Sequence, residues 1–180
     1  MADVYRGRST SIRENDGNIA VINIKDIKEN GIDYSDLDLI NLEERKVSPY
    51  ILRDDDVLVS IRGTNIKVGV FHSQNKTCIA SVNLCVIRTS EKKFLKGDYL
   101  RLFFLSKVGM KLLKRLQRGT TIVNINTKDI ELIEVPIPSI NDQEVLVEKY
   151  NNGLSFYQKT VKAAQETWNN IQDDILNNLY

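Results

Sequence analysis

Val147, Tyr150, Leu154, Tyr157, Val161, Ala164, Trp168, Ile171 and Ile175 follow one another at alternating steps of three and four residues. An unbroken alternation of this kind is the a/d pattern of a coiled coil, because a spacing of 3.5 keeps one narrow apolar stripe on one side of a helix. Asn141 or Asp142 can cap its start, and only Gly153 weakens it. A helix of about 38 residues is about 57 Å long, more than a domain built from the remaining 140 or so residues can cover. Part of the seam therefore needs a partner. The alternative is a core helix docked on its own domain, but core-facing helices normally carry a wider stripe.

The residues ahead of this helix divide into short apolar runs separated by turn formers. Residues 1–18 are polar, with Gly7, Gly17 and Asn18 as turn residues. Ile19–Ile24, Val57–Ile61, Lys67–Phe71, Cys78–Ala80 and Leu84–Ile87 read as strands, and Ile122–Ile125 as a further one. Leu37–Val47 is ambiguous. Many short strands of this kind suggest a compact sheet or a barrel-like core. Asp98–Gln117 reads as one amphipathic helix with Gly119 placed to end it. Thr127–Ile133 reads as one helical turn or two, and Val135-Pro136-Ile137-Pro138 is extended. The expected fold is α+β, with a recognition-type globular domain over residues 1–139 and a long coiled-coil helix over 140–180.

Charge is unevenly spread. Residues 129–180 hold nine acidic and three basic side chains, and residues 1–128 the other 15 acidic and 22 basic, so a net charge of +1 conceals balances of −6 and +7. No acidic residue lies between Tyr99 and Lys128, a stretch that carries Arg101, Lys107, Lys111, Lys114, Arg115, Arg118 and Lys128. Lys107, Lys111, Lys114 and Arg118 recur at three- and four-residue steps and so share one face, opposite the apolar one. Such a face suits a polyanion, or is merely the solvated side of a helix with cations at its negative end.

Catalytic chemistry finds little support. There is no phosphate-binding loop, dinucleotide fingerprint or nucleophile elbow. Cys78 and Cys85 lie in apolar company, and with a single histidine, His72, they cannot build a zinc site. Asp54-Asp55-Asp56 can hold a hard cation, but a turn before a strand is the simpler role, and Glu91-Lys92-Lys93 reads as a loop. No metal and no cofactor are expected. Neither a membrane span nor a secretory leader is visible, so a cytoplasmic protein is expected.

Several motifs in order carry a resemblance. They are Tyr5-Arg6-Gly7-Arg8-Ser9, Asn23-Ile24-Lys25-Asp26-Ile27 with Gly31, Asp54–Thr64 leading into Lys67-Val68-Gly69, Ala80–Leu84, Tyr99–Gly109, Gly119-Thr120 with Ile125–Ile130, and Val135–Pro138 followed by Gln143. Together they resemble one target-recognition domain and one conserved helix of the specificity (S) subunit of type I restriction-modification enzymes. The resemblance covers nearly the whole chain; each motif alone is weak, their order more specific. It implies a non-catalytic protein that reads one half of a bipartite site in double-stranded DNA. Its helix would pair antiparallel with another and space two readers, while methyltransferase (M) and restriction (R) subunits do the chemistry. One domain and one helix is half of a full subunit, either a fragment or a natural half-subunit, and a homodimer with Val147, Tyr150, Leu154, Tyr157, Val161, Ala164, Trp168, Ile171 and Ile175 as its interface would rebuild the pair.

The resemblance also sorts candidate contacts. Phosphate contacts fall to Lys107, Lys111, Lys114, Arg115, Arg118 and Lys128, base contacts to Arg62, Thr64, Asn65, Ser81, Asn83, Thr120, Thr121, Asn124 and Asn126, with Lys25 and Lys67 in the matching motifs completing the set. Two other readings stay open: the DNA-recognition part of a fused restriction enzyme and methyltransferase, and a coiled-coil scaffold that binds no DNA.

Overall fold

The computed structural model describes residues 2–9, 16–90, 94–119 and 124–179. Among the described residues nine strands and five α-helices follow in chain order: β1 (Ala2–Arg6), β2 (Ile19–Ile22), β3 (Ile27–Lys28), β4 (Gly31–Ile32), β5 (Asp38–Ile40), α1 (Glu44–Val47), β6 (Val57–Ser60), β7 (Val68–Val70), β8 (Cys78–Ala80), β9 (Leu84–Thr89), α2 (Gly97–Leu105), α3 (Lys107–Arg115), α4 (Thr127–Glu131) and α5 (Ile140–Leu179). The mixed composition and long final helix agree with the α+β expectation.

The strands form two main sheets. One is antiparallel with order β1-β9-β6-β7, and the other has order β5-β2-β8 with β2 and β8 parallel. Both are apolar on both faces. In β6, Val57 and Val59 join one core while Leu58 joins a second. In β9, Cys85 and Ile87 join the first, Leu84 and Val86 the second. In the smaller sheet, Ala20, Ile22, Cys78 and Ala80 share that second core, and Val21 and Ile79 turn to a third with Val47 of α1. The molecule is therefore layered as helices, sheet, core, sheet and a last small core. A strand covered on both sides reads as a continuous apolar run, which is why Val57–Ser60 and Leu84–Ile87 show no alternation.

β1 lies within the segment read as polar turns. Ala2 and Val4 pack toward the first core and Tyr5 toward the second. The strand pairs with β9 along its whole length, Ala2 opposite Thr89 and Arg6 opposite Cys85.

The single helix expected over Asp98–Gln117 is two. Ser106 is extended at φ −64° and ψ 160°, ends α2 and caps α3. Its Oγ accepts from the Gly109 amide at 3.1 Å and donates to the Phe103 carbonyl at 2.6 Å. Gly109 permits the corner, since a Cβ there would lie 2.1 Å from the Phe103 oxygen and 2.7 Å from the Phe104 Cα. The apolar pattern runs through the break because Leu100, Phe103, Phe104 and Leu113 all enter the same core. Gly119 has a positive φ of 98°, but α3 has already closed at Leu116.

Ser139, rather than Asn141 or Asp142, caps α5: its Oγ accepts from the Asp142 amide at 3.2 Å. Gln143 then locks the helix root. It is fully buried, donates through Nε2 to the carbonyls of Phe94 (2.7 Å) and Pro138 (2.9 Å), and accepts at Oε1 from the Lys96 amide (3.1 Å). Lys96 also pairs with Glu144. The Tyr99 hydroxyl donates to the Pro136 carbonyl, fixing the extended linker to α2.

Candidate nucleic-acid interface

The polar turn after β6 brings the expected base readers together. The Ile125 amide donates to the Ile61 carbonyl at 2.9 Å, and Arg62 pairs as an isolated bridge with Asn124. Asn124 in turn exchanges both backbone bonds with Arg118 at 2.9 Å each. Three segments distant in sequence therefore lie side by side: Arg62 to Asn65, Arg118, and Asn124 to Lys128. Arg62, Thr64, Asn65, Arg118, Asn124, Asn126 and Lys128 are all exposed. Thr120 and Thr121 lie outside the described residues.

The cations of α3 precede Arg118 in the chain. Lys107, Lys111, Lys114 and Arg115 are exposed, and among the described residues none of them is in an ion pair. Their charged groups are therefore not engaged by a carboxylate at ion-pair distance, although Arg115 lines a concavity with Asp129 and Glu134. Arg118 differs, with its guanidinium 2.8 Å from the Asp129 carboxylate.

Other expected contacts are committed elsewhere. Ser81 is 4% exposed, so its hydroxyl does not reach a bound duplex as the chain stands. Asn83 is half-buried, and its carbonyl accepts from the Ile61 amide. Asn126 caps α4, its Oδ1 accepting from the Lys128 amide at 3.0 Å. Lys25 pairs with Asp38 at 3.0 Å, and the Lys67 ammonium donates to the Ile24 carbonyl at 3.1 Å. Arg101, counted in the basic stretch, is 7% exposed; it donates to the carbonyls of Val68 and Glu29 and lies 5.9 Å from the Tyr150 ring centroid. Asn126, Lys25, Lys67 and Arg101 are braces, and an amino-acid type suited to DNA contact is equally suited to bonding the protein's own groups.

The groups once weighed for chemistry are similarly occupied. Asp54 accepts from the Ser73 amide, Asp55 from the Gly97 amide, and Asp56 from Arg88 and the Arg53 amide, so the three carboxylates serve three separate places. Burial pushes the Cys78 thiol up to about 11 and the Cys85 thiol up to about 12, far from thiolate reactivity. His72 stands at the surface, 4.0 Å from Asp54 and 3.9 Å from Asp98.

The interface seam is split by its surroundings. Val147, Tyr150 and Leu154 are half-buried on the chain's own domain, against the expectation that they face a partner. From residue 159 to 179 every position of α5 is exposed, including Val161, Ala164, Trp168, Ile171 and Ile175; Tyr157 is exposed just before. Arg6 belongs to the polar cluster but was not among the expected contacts. Its only sequence signal was its place in the Tyr5–Ser9 motif.

The family described as type I restriction modification DNA specificity domain matches residues 2–152 of the sequence. The chain belongs to that family. Among curated specificity-domain relatives, the type I restriction enzyme StySPI specificity subunit of Salmonella potsdam is 28% identical over 155 residues, 84% of this chain and 32% of its own length. The EcoBI specificity subunit of Escherichia coli is 26% identical over 163 residues, 88% of this chain and 34% of its own. This chain thus spans about a third of each. The fold is shared with a chain solved for complex assembly and conformational transition of the type I R-M system (TM-score 0.65, 18% identity, 91% of this chain and 38% of that one). It is also shared with the HsdS subunit of Thermoanaerobacter tengcongensis (TM-score 0.55, 19% identity, 91% and 37%).

Proposed function

We propose that this chain is the DNA-reading half of a type I restriction-modification specificity subunit, binding one half of a bipartite duplex target without catalysing a reaction. The observation that carries this is the convergence of Arg62, Arg118 and Asn124, joined in the chain to the exposed α3 cations that are in no ion pair among the described residues. Exposed cations outside ion pairs attract phosphates, and arginine and carboxamide groups on turns are the side chains that read base edges. In this reading residues 1–139 are the reader and 140–180 the spacer helix. The M and R subunits supply methylation and cleavage in the cytoplasm; among the described residues no helix is long and apolar enough to cross a membrane. A titration of duplex DNA at rising salt tests it. Log affinity should fall linearly with log salt, with a slope reflecting several displaced counterions. A flat response would sink the proposal.

The outer seam of α5 supports pairing. Tyr157, Val161, Trp168, Ile171 and Ile175 are 46–59% exposed on one side of a projecting helix, which costs solubility unless another helix covers them. Replacing Trp168 and Ile171 with Asp should leave a monomer by light scattering. A dimer that survives the double change would place its interface elsewhere.

A further inference from the structure

We propose that Arg6 reads a guanine, acting as a specificity-determining residue of the DNA face; the inference rests on the DNA-binding role proposed above. Arg6 is exposed at the end of β1 and lines a concavity of about 280 Å³ with Arg118, Asn124 and Asn126. Its Nε donates to the Val82 carbonyl at 2.7 Å. The two terminal nitrogens have no bonding partner among the described residues. One edge of the guanidinium is thus held while the outer pair of N–H groups points from a fixed base.

The backbone behind it is equally fixed. The Gly7 amide donates to Leu84 and the Arg8 amide to Ala80, both at 2.9 Å. Gly7 is pressed so closely on the 80–81 backbone that a Cβ would lie 2.2 Å from the Ser81 oxygen and 2.5 Å from the Ala80 oxygen. A side chain immobilised before binding gives up little further freedom on contact. Phosphate attraction needs only a mobile positive charge, whereas guanine O6 and N7 need two parallel donors in one plane. Arg6 has the second arrangement. Arg118 at the same concavity faces Asp129, and Asn126 is occupied as a cap.

The test is selection from a randomised duplex library by the full chain and by its Arg6→Ala and Arg6→Lys variants, followed by anisotropy titrations on the selected duplex. Wild type should enrich a motif containing a guanine whose replacement weakens binding roughly tenfold to a hundredfold. Both variants should lose preference at that one position, including Arg6→Lys, which keeps the charge but not the planar pair. An unchanged motif in both variants overturns the assignment. So does equal weakening on all sequences with the motif retained, which would mark a phosphate contact. A wild-type chain that enriches no motif removes the DNA reading itself, and is told apart from a failure of Arg6 alone by the absence of any wild-type motif.

Discussion

Asp56→Ala should destabilise the chain by about 3–5 kcal/mol, read as a drop in the urea midpoint at unchanged slope. Asp56 is 2% exposed and takes both Nε (2.9 Å) and Nη2 (2.6 Å) of Arg88, whose side chain is 15% exposed. The same Arg88 Nη2 also donates to the Tyr5 hydroxyl and the Ile51 carbonyl at 2.9 Å each, and lies in a group that crosses from β1 to β9 to the turn before β6. The bond to Asp56 raises the Arg88 pKa above its ordinary value, and burial, aided by the Asp56 charge, pushes the Tyr5 phenol up to about 12. Removing the carboxylate leaves a guanidinium in a half-dry site and the Arg53 amide without its acceptor. That is the costly way to break a buried pair, far beyond the value of a surface ion pair. Asp56→Asn should fall between, since it keeps an acceptor but not the charge. A loss under about 1 kcal/mol for Asp56→Ala would mean that water reaches the site and replaces the carboxylate.

Lys107, Lys111 and Lys114 all changed to Glu should weaken binding to any duplex by roughly a hundredfold or more at low salt, with the salt slope shrinking in proportion. These side chains are exposed and without ion-pair partners among the described residues, so the fold should keep its stability to within about 0.5 kcal/mol per change. The readout is anisotropy on two unrelated duplexes. Equal losses on both place the three lysines on phosphates. A loss on one duplex alone would make them base contacts, and full affinity on both would make α3 a plain solvated face.

The parts of the fold legible in the sequence were those whose signal is local. Val57–Ser60, Cys78–Ala80 and Leu84 onward are strands because runs of β-branched and apolar residues between turn formers have few other uses. The start of the chain was opaque for a physical reason. In β1 the alternate residues face two different cores, with Arg6 at the edge, so neither a continuous apolar run nor a polar alternation appears. The break at Ser106 was hidden because both helices feed one core, which keeps the periodicity intact; the local cue was a Ser three residues ahead of a Gly. For the candidate site, exposure decided what residue type could not. Arg62, Asn124 and the α3 cations stand at the surface, while Ser81 is buried and Asn126, Lys25 and Lys67 bond the protein's own backbone and carboxylates. The heptad seam was legible as a stripe, but which of its residues would be covered depends on where α5 lies on the domain, and a periodicity holds no such information.

The rooting of α5 has a mechanical consequence. Every residue of the helix from residue 159 to Leu179 is exposed, a free length of about 32 Å. It is a beam clamped at one end. A tilt of about 5° at the clamp displaces the tip by about 3 Å, so the three hydrogen bonds of Gln143 and the half-buried Val147, Tyr150 and Leu154 together set the aim of everything the beam carries. Loosening Gln143 would blur that aim long before it unfolded the reader.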